Sequence, residues 1–331
     1  MWPAVALLIV LLFNAIFSPG FLEITVRDGH LFGSIVDIFN RAAPVLLLSA
    51  GMTVVIATGG IDLSVGAVMA VCGAVVACLI ARPDGSVLSQ FDIHASAIVA
   101  VLIGLGAGVV CGTFNGVLVS ILGLQPIVAT LILMVAGRGI AQLLTNGQIV
   151  IFQHEGLTSI GSGFSLGVPN PVWIVLLVFC ALFALCRGTG LGTLIEAVGD
   201  NETAAKYSGI RVSRLKTAVY AISGVCAAIA GIIVTADIKA ADANNAGMYL
   251  ELDAILAVAL GGAAFAGGRF SLLGTALGAV LMQAITTTVL TRGLSPEFTQ
   301  ILKAIVVVIV CLAQSERVRE LRMRRAVGRL S

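Results

Sequence analysis

The stretch from Arg187 to Lys216 reads RGTGLGTLIEAVGDNETAAKYSGIRVSRLK and lies between two long apolar runs. It holds five basic and three acidic residues in 30 positions, whereas most other polar gaps are far shorter or carry acid and little base. Charged side chains are costly inside a bilayer, while long apolar runs are stable there. The pattern therefore predicts a membrane protein with one large polar connection between its spans.

Within this stretch, the residues around Glu202–Tyr207 are typical of a short helix. Asp200 or Asn201 can cap its first turn, and Ser208-Gly209 can end it with glycine in the left-handed conformation. Isolated helices shorter than about 12–15 residues are marginal in water, so this helix needs a surface to lie on. We expect a docking helix whose small apolar patch consists of Ala204, Ala205, Tyr207 and Ile210. The alternative is a solvated loop.

The composition of the whole chain agrees with a membrane location. Apolar residues make up 59% of the 331 residues and charged residues 11%, whereas about a quarter of an average soluble domain is charged. The net charge of +2 predicts no nucleic-acid partner. The seven cysteines lie in apolar runs without a CxxC pair, so we interpret them as small buried hydrophobic residues and expect no metal site.

We predict an all-α polytopic fold in a single transmembrane domain that covers residues 1–331. A transmembrane helix needs about 20 mostly apolar residues, and shorter runs bounded by glycine pairs indicate broken or re-entrant helices. About ten spans are expected, at Pro3–Phe17, Ala43–Thr58, Ser64–Ala81, Ala95–Leu122, Pro126–Leu144, Val172–Cys186, Thr217–Ala236, Ala254–Ala266, Ser271–Thr291 and Phe298–Ala313.

The orientation follows from the basic residues between the spans, which favour the cytoplasmic side. Of the 19 Lys and Arg residues, two fall within spans, twelve lie on the side of the 187–216 stretch and five on the other. Both termini, the 187–216 loop and a basic tail at 315–331 are therefore expected in the cytoplasm.

Two glycine-rich interruptions resemble distant copies of one pattern. One runs from Gly59 to Gly66, and the other from Gly261 to Gly274. Paired glycine-interrupted segments in two halves of a transporter indicate a transport pathway. The candidate pathway residues are Gly59, Gly60, Asp62, Ser64, Asn115, Thr130, Gly261, Gly262, Gly267 and Gly268. For Asp62 the favoured alternative is a cap on the third span, where the helix dipole stabilises an anion.

Other residues within the spans have simpler interpretations. Gly104, Gly108, Gly112 and Gly116 form a stripe on one helix face that lets another helix approach closely, with pathway lining as the alternative. Arg138 and Lys303 are expected to extend their charges towards the outer surface.

The outer segment from Ala236 to Asp253 is rich in carboxylates and amides. Such groups suit sugar hydroxyls, because they accept and donate hydrogen bonds at several angles. This predicts a periplasmic lip that comprises Asp237, Asp242, Asn244 and Asn245. The alternative is a solvated loop.

The sequence lacks the motifs of an enzyme. None of the four lysines follows a glycine, so no phosphate-binding P-loop can be drawn, and neither HExxH nor GxSxG occurs. We therefore expect no catalytic residues and no cofactor, and any ATP must be bound by a separate subunit.

The chain resembles the permease subunits of bacterial ABC importers for simple sugars, the ribose/galactofuranose family. The residues that carry the resemblance are TGGIDLSVGA at 58–67, FNG at 114–116, PIVATL at 126–131, GRG at 137–139 and EAVGDNETAAKYSGI at 196–210. It implies a ten-helix subunit of the inner membrane that pairs with a second copy or a sister permease, receives sugar from a periplasmic binding protein and couples to an ABC ATPase. The implied coupling residues are Glu196, Ala197, Gly199, Asn201, Ala204, Ala205, Gly209 and Ile210.

Within the family, galactofuranose-type members are the most similar. The matching pieces are ADANNAG at 241–247, LELDAILAV at 250–258 and GGRF at 267–270. Ribose-type members more often have glycine where Arg269 and Phe270 stand, so a furanose or pentose other than ribose is favoured. A stand-alone secondary transporter or channel is the alternative, but few acids within the spans could carry protons or Na⁺, and such a protein needs no coupling loop.

Overall fold

The computed structural model describes residues 2–18, 20–81 and 96–314. Within these residues the chain forms thirteen α-helices. Their bounds are α1 Trp2–Phe17, α2 Ser34–Ala57, α3 Val65–Ala81, α4 Ala97–Ser120, α5 Pro126–Leu144, α6 Glu155–Ser162, α7 Asn170–Gly188, α8 Leu191–Asp200, α9 Glu202–Tyr207, α10 Val212–Ile238, α11 Leu250–Leu260, α12 Leu272–Thr291 and α13 Pro296–Gln314.

Short strands form three antiparallel pairs between the helices. Their bounds are β1 Thr25–Arg27, β2 His30–Phe32, β3 Val150–Ile151, β4 Phe164–Ser165, β5 Val168–Pro169 and β6 Ala240–Ala241. Strand β1 pairs with β2 and β4 with β5, whereas β3 pairs with the distant β6. The all-α fold class is confirmed, since the strands serve only as small connections.

Six of the described helices, α2, α4, α5, α7, α10 and α12, are long and apolar enough to cross a membrane. Helices α1 and α3 are apolar but shorter, at 16 and 17 residues. The figure of about ten spans stays a prediction. The predicted basic tail at 315–331 lies outside the described residues, as does Ala95, the predicted first residue of the fourth span.

The two largest differences between predicted and observed helix bounds have identifiable reasons. Helix α2 begins at Ser34 rather than Ala43, because Asp37 lies in its first turn, where the helix dipole stabilises a negative charge. Helix α11 ends at Leu260 rather than Ala266, because the chain reaches a positive φ of 87° at Gly262.

Helix α10 is the central element of the fold and packs most extensively on α4, α2 and α3. The glycine stripe of α4 faces it: a Cβ atom on Gly108 would lie 2.5 Å from the carbonyl oxygen of Gly224. Gly112 and Gly116 likewise abut α10, whereas Gly104 lies nearest to Val76 of α3. The predicted packing role of the stripe is confirmed, because side chains there would force the two helices apart.

Helix α10 also defines the two ends of the molecule. With 27 residues it extends over about 40 Å at a rise of about 1.5 Å per residue. Helices α8 and α9 precede its first residue, and β6 follows its last. We call these the α9 end and the β6 end.

Candidate functional site

The first glycine-rich interruption, between α2 and α3, is held by a buried cluster of polar side chains. Asp62 is 1% exposed, and Ser64 and Asn115 are fully buried. The Ser64 hydroxyl donates a hydrogen bond to Asp62 Oδ1 at 2.6 Å. Asn115 Nδ2 donates to Ser64 Oγ at 2.8 Å and to Asp62 Oδ1 at 3.3 Å. The structure thus brings together three residues that the sequence proposed separately.

Helix α10 supplies two more members of this cluster, which we did not identify from the sequence. Ser223 Oγ donates to Asp62 Oδ2 at 3.0 Å, and the Tyr220 hydroxyl donates to the carbonyl oxygen of Ile61 at 3.4 Å. The detectable signal was their spacing, since polar residues three apart in an apolar helix share one face. We call Asp62, Ser64, Asn115, Tyr220 and Ser223 the Asp62 cluster.

Asp62 does not cap the first turn of α3 in the way we expected. Its Oδ1 accepts from the backbone N–H of Ser64, two residues on, at 3.1 Å. Helix α3 begins one residue later, and the carbonyl oxygen of Ser64 accepts from Val68 N in its first turn. Asp62 therefore stabilises the interruption itself, as an Asx turn does.

Thr130 of α5 lies at the edge of the same interruption. Its hydroxyl is fully buried and lies 2.9 Å from the carbonyl oxygen of Pro126 and 3.4 Å from that of Ile61. Each of the four polar pathway candidates is closed off from solvent in this arrangement. Their place along a transport route stays a prediction.

The second interruption, between α11 and α12, is held by backbone contacts. Gly268 N donates to the carbonyl oxygen of Ala57, at the end of α2, at 2.9 Å. Gly267 and Gly268 have φ values of 96° and 94°, which favour glycine. A Cβ atom on Gly267 would lie 2.9 Å from Gly59 N and from Gly199 Cα. The two interruptions therefore meet each other and the last turn of α8.

The remaining glycine candidates differ in how much space surrounds them. A Cβ atom on Gly60 would lie 2.6 Å from the Tyr220 hydroxyl, and one on Gly261 would lie 2.5 Å from Thr275 N. Gly262 has nothing within 4 Å of such an atom. Of these three, only Gly262 borders open space.

The loop at the α9 end contains the predicted short helix and one helix more. Helix α9 covers Glu202–Tyr207 as expected, and Asn201 Oδ1 caps it by accepting from Ala204 N at 2.9 Å. Gly209 has a φ of 85° and ends the turn, which confirms the predicted helix end. Helix α8 was missed. It carries Glu196, Ala197 and Gly199.

The predicted apolar patch of α9 is divided, since two of its four members pack on the protein and two face outward. Ala205 is buried at 4% exposure and Ile210 is half-buried, so these two pack on the protein. Tyr207 is 89% exposed, and Ala204 is exposed as well. The reason is geometric, because a single helical turn cannot direct Ala204, Ala205 and Tyr207 to one side.

Glu202 anchors α9 to the body of the protein. Its carboxylate contacts Lys206 Nζ at 2.7 Å, within α9, and Lys216 Nζ at 2.6 Å, on α10. The hydrogen bonds from Lys206 and Lys216 hold the pKa of the Glu202 carboxyl below its ordinary value. The ion pair to Lys216 connects the two helices.

Three of the four predicted lip residues lie together just after β6, and Asp237 lies before it. Asp242 accepts from Asn245 Nδ2 at 2.7 Å, which holds the pKa of the Asp242 carboxyl below its ordinary value. Asn244 Oδ1 accepts from Gln142 Nε2 of α5 at 2.8 Å. Asp237 lies instead in the last turn of α10, against Gly161 of α6.

The two basic residues within spans have protein partners. Arg138 Nη1 donates to the carbonyl oxygens of Ala246 at 2.6 Å and Ala243 at 3.1 Å, so it anchors the lip segment from α5. Lys303 of α13 forms an ion pair with Asp253 of α11 at 2.6 Å. No group of three or more potential metal ligands occurs among residues 2–18, 20–81 and 96–314.

Comparison with known proteins gives one family. Residues 34–311 match the model of the family described as branched-chain amino acid transport system / permease component. The chain is 51% identical over 321 residues to the galactofuranose transporter permease protein of Escherichia coli K12, covering 96% of this chain and 91% of that protein. The fructose import permease protein of Bifidobacterium longum is 39% identical over 97% of this chain and 88% of its own length.

The ribose import permease protein of Escherichia coli K12 is 36% identical, over 95% of this chain and 92% of its own length. No solved structure matches the chain.

Proposed function

The chain belongs to the branched-chain amino acid transport system / permease component family, and from that premise we propose that it is the membrane-spanning subunit of an ATP-driven importer of a simple sugar. The relatives that support a sugar are permeases for galactofuranose, fructose and ribose. Galactofuranose, or a related furanose or pentose, is the proposed substrate, because the galactofuranose permease shares the highest identity of the three.

The observation that carries this function is the arrangement of α8 and α9. An Asn201 cap, buried Ala205 and the ion pair to Lys216 hold α9 on the body of the protein. The same helix exposes 89% of the Tyr207 side chain. A short, anchored helix with an outward aromatic residue suits a partner protein, because aromatic residues contribute strongly to interfaces. The partner is an ABC ATPase subunit, and this chain is the non-catalytic component.

The proposed topology has about ten spans, both termini in the cytoplasm and the α9 end on the cytoplasmic side of the bacterial inner membrane. The excess of basic residues at that end supports this orientation. Helices α11 and α12 flank the second glycine interruption, and α11 has only 11 residues, too few to cross a bilayer alone. A periplasmic sugar-binding protein at the β6 end and a second permease copy or a sister permease complete the importer.

The test is sugar uptake by proteoliposomes that contain this chain together with the ATPase and the sugar-binding protein encoded by neighbouring genes. Uptake must require ATP, since ATP-independent uptake by the chain alone would favour the secondary transporter or channel.

Tyr207→Ala is expected to reduce co-purification of the ATPase. Leu166→Ala is its matched control, because Leu166 is also highly exposed, at 92%. It lies on the β4–β5 hairpin, which comes before α7 in the chain, whereas α9 comes after α7. Equal ATPase recovery from both variants would overturn the docking assignment.

A further inference from the structure

One face of α10 connects the α9 end to the Asp62 cluster. Lys216, Tyr220 and Ser223 are spaced four and three residues apart, so they lie on the same side of the helix. Lys216 contacts Glu202 of α9, and Ser223 contacts Asp62 Oδ2. The seven-residue separation between Lys216 and Ser223 corresponds to a rise of about 10 Å along the helix.

The contacts at both ends of this face are tight. Tyr220 is fully buried, and its hydroxyl is so close to Gly60 that a Cβ atom there would lie 2.6 Å away. At the other end, the Lys216 side chain is only 14% exposed, whereas that of Lys206 is 58% exposed. Close-packed interiors transmit a displacement because they contain little free volume to absorb it.

The glycine stripe of α4 brings the α4 backbone close to that of α10. A Cβ atom added to Gly108, Gly112 or Gly116 would lie within 2.6 Å of a backbone atom of α10. Small sliding movements of packed helices are an established class of conformational change. Within the described residues, Asn115 Oδ1 is buried and accepts no hydrogen bond. Because buried polar atoms are normally hydrogen-bonded, a second arrangement of the cluster would give this atom a donor.

We propose that Lys216 is a positioning residue, which transmits movement of α9 through one face of α10 to the Asp62 cluster. The proposal rests on the proposed function, since it assumes that an ATPase moves α9. Lys206 has no such role, because its ion pair with Glu202 lies within α9 and connects no second element.

The matched variants are Lys216→Gln and Lys206→Gln, which each remove one of the two cations at Glu202. Both are assembled with the ATPase and binding protein, and the readout is sugar imported per ATP hydrolysed. We expect Lys216→Gln to retain the ATPase but to lower this ratio by about fivefold or more, the lower range of ordinary coupling factors. Lys206→Gln should keep the wild-type ratio.

A charge reversal separates coupling from a structural role. In the Lys206→Gln background, Glu202→Lys combined with Lys216→Glu should restore most of the ratio that either single reversal loses. Unchanged coupling in Lys216→Gln would overturn the proposal, and so would loss of the ATPase itself, which would make the ion pair part of the docking site. A reversed pair that assembles without restoring the ratio would also overturn it. If the wild-type assembly fails to import sugar with ATP, the proposed function fails instead.

Discussion

The two glycine-rich interruptions look alike in sequence but are held together in different ways. The interruption between α2 and α3 carries Asp62 and Ser64, whose side chains are buried and bonded to α4 and α10. The interruption between α11 and α12 has no comparable side-chain cluster among the described residues. Gly267 and Gly268 hold it by backbone contacts, while Gly262 and Phe265 remain exposed.

This difference predicts which kind of substitution should destabilise each interruption. A cluster of buried hydrogen bonds depends on donors and acceptors, because an unpaired buried polar group costs free energy. A junction of bare backbones depends on the absence of Cβ atoms, because overpacking forces the backbone apart. The first interruption should therefore respond to polar-to-apolar changes and the second to added bulk.

Asp62→Ala should have the largest effect. It leaves the hydroxyls of Ser64 and Ser223 without their buried acceptor, and the amide of Asn115 keeps only its hydrogen bond to Ser64. At about 1–3 kcal/mol for each unpaired buried group, we expect the free energy of unfolding to fall by about 3 kcal/mol or more. Thermal unfolding in detergent measures this, with Asp242→Ala as the control at an exposed hydrogen-bonded turn. Equal unfolding temperatures for the two variants would show that the cluster contributes no stability.

Gly199→Ala should come next, because it disturbs the backbone junction. The added Cβ would collide with the Ala57 carbonyl oxygen and the backbone of Gly268. We expect a loss of about 2 kcal/mol, typical of overpacking, together with weaker sugar uptake.

The matched control for Gly199 is Gly190→Ala in the same loop, where nothing lies within 4 Å of the added atom. Similar losses of stability in both glycine variants would contradict the backbone junction.

Local chemistry explains what the sequence predicted correctly. The bounds of α9 followed from the Asn201 cap and Gly209, which act within a few residues. Helix α5 begins where predicted because Pro126 stands at its first position, where a missing N–H costs nothing. Of the Asp62 cluster, Asp62 and Asn115 were proposed from the sequence, because an amide or carboxylate in an apolar chain needs a buried partner.

The errors arose where contacts between residues far apart in the sequence determine the structure. Helix α8 was missed because Gly190, Gly192 and Gly199 are typical of a loop, yet Gly192 and Gly199 allow close backbone contacts. Ser223 is separated from Asp62 by 161 positions, so no local pattern joins them. The outward direction of Tyr207 likewise depends on which face of α9 packs on the protein.

Ser223→Ala sharpens the comparison by removing one donor from the first interruption. Asp62 Oδ2 then loses its 3.0 Å hydrogen bond, and we expect a loss of about 1 kcal/mol. A double-mutant cycle with Asp62→Ala measures the coupling, since the Ser223 change should cost much less once its acceptor is gone. Ser208→Ala, at an exposed position of the α9 end, is the control. Strictly additive effects of Ser223→Ala and Asp62→Ala would show that the two residues act independently.

Gly262 gives the smallest and most selective test, because it separates backbone conformation from space. Its φ of 87° disfavours side chains, but no atom lies within 4 Å of an added Cβ. Gly262→Ala should therefore cost about 1 kcal/mol from the left-handed conformation alone, and Gly262→Asn less, because asparagine visits that region more readily. Gly268→Ala shares a positive φ of 94° but also meets Asp200 Oδ1, so it should cost more than Gly262→Ala in the same thermal assay. Equal losses of stability in the two alanine variants would show that the contact with Asp200 adds nothing to the cost of a positive φ.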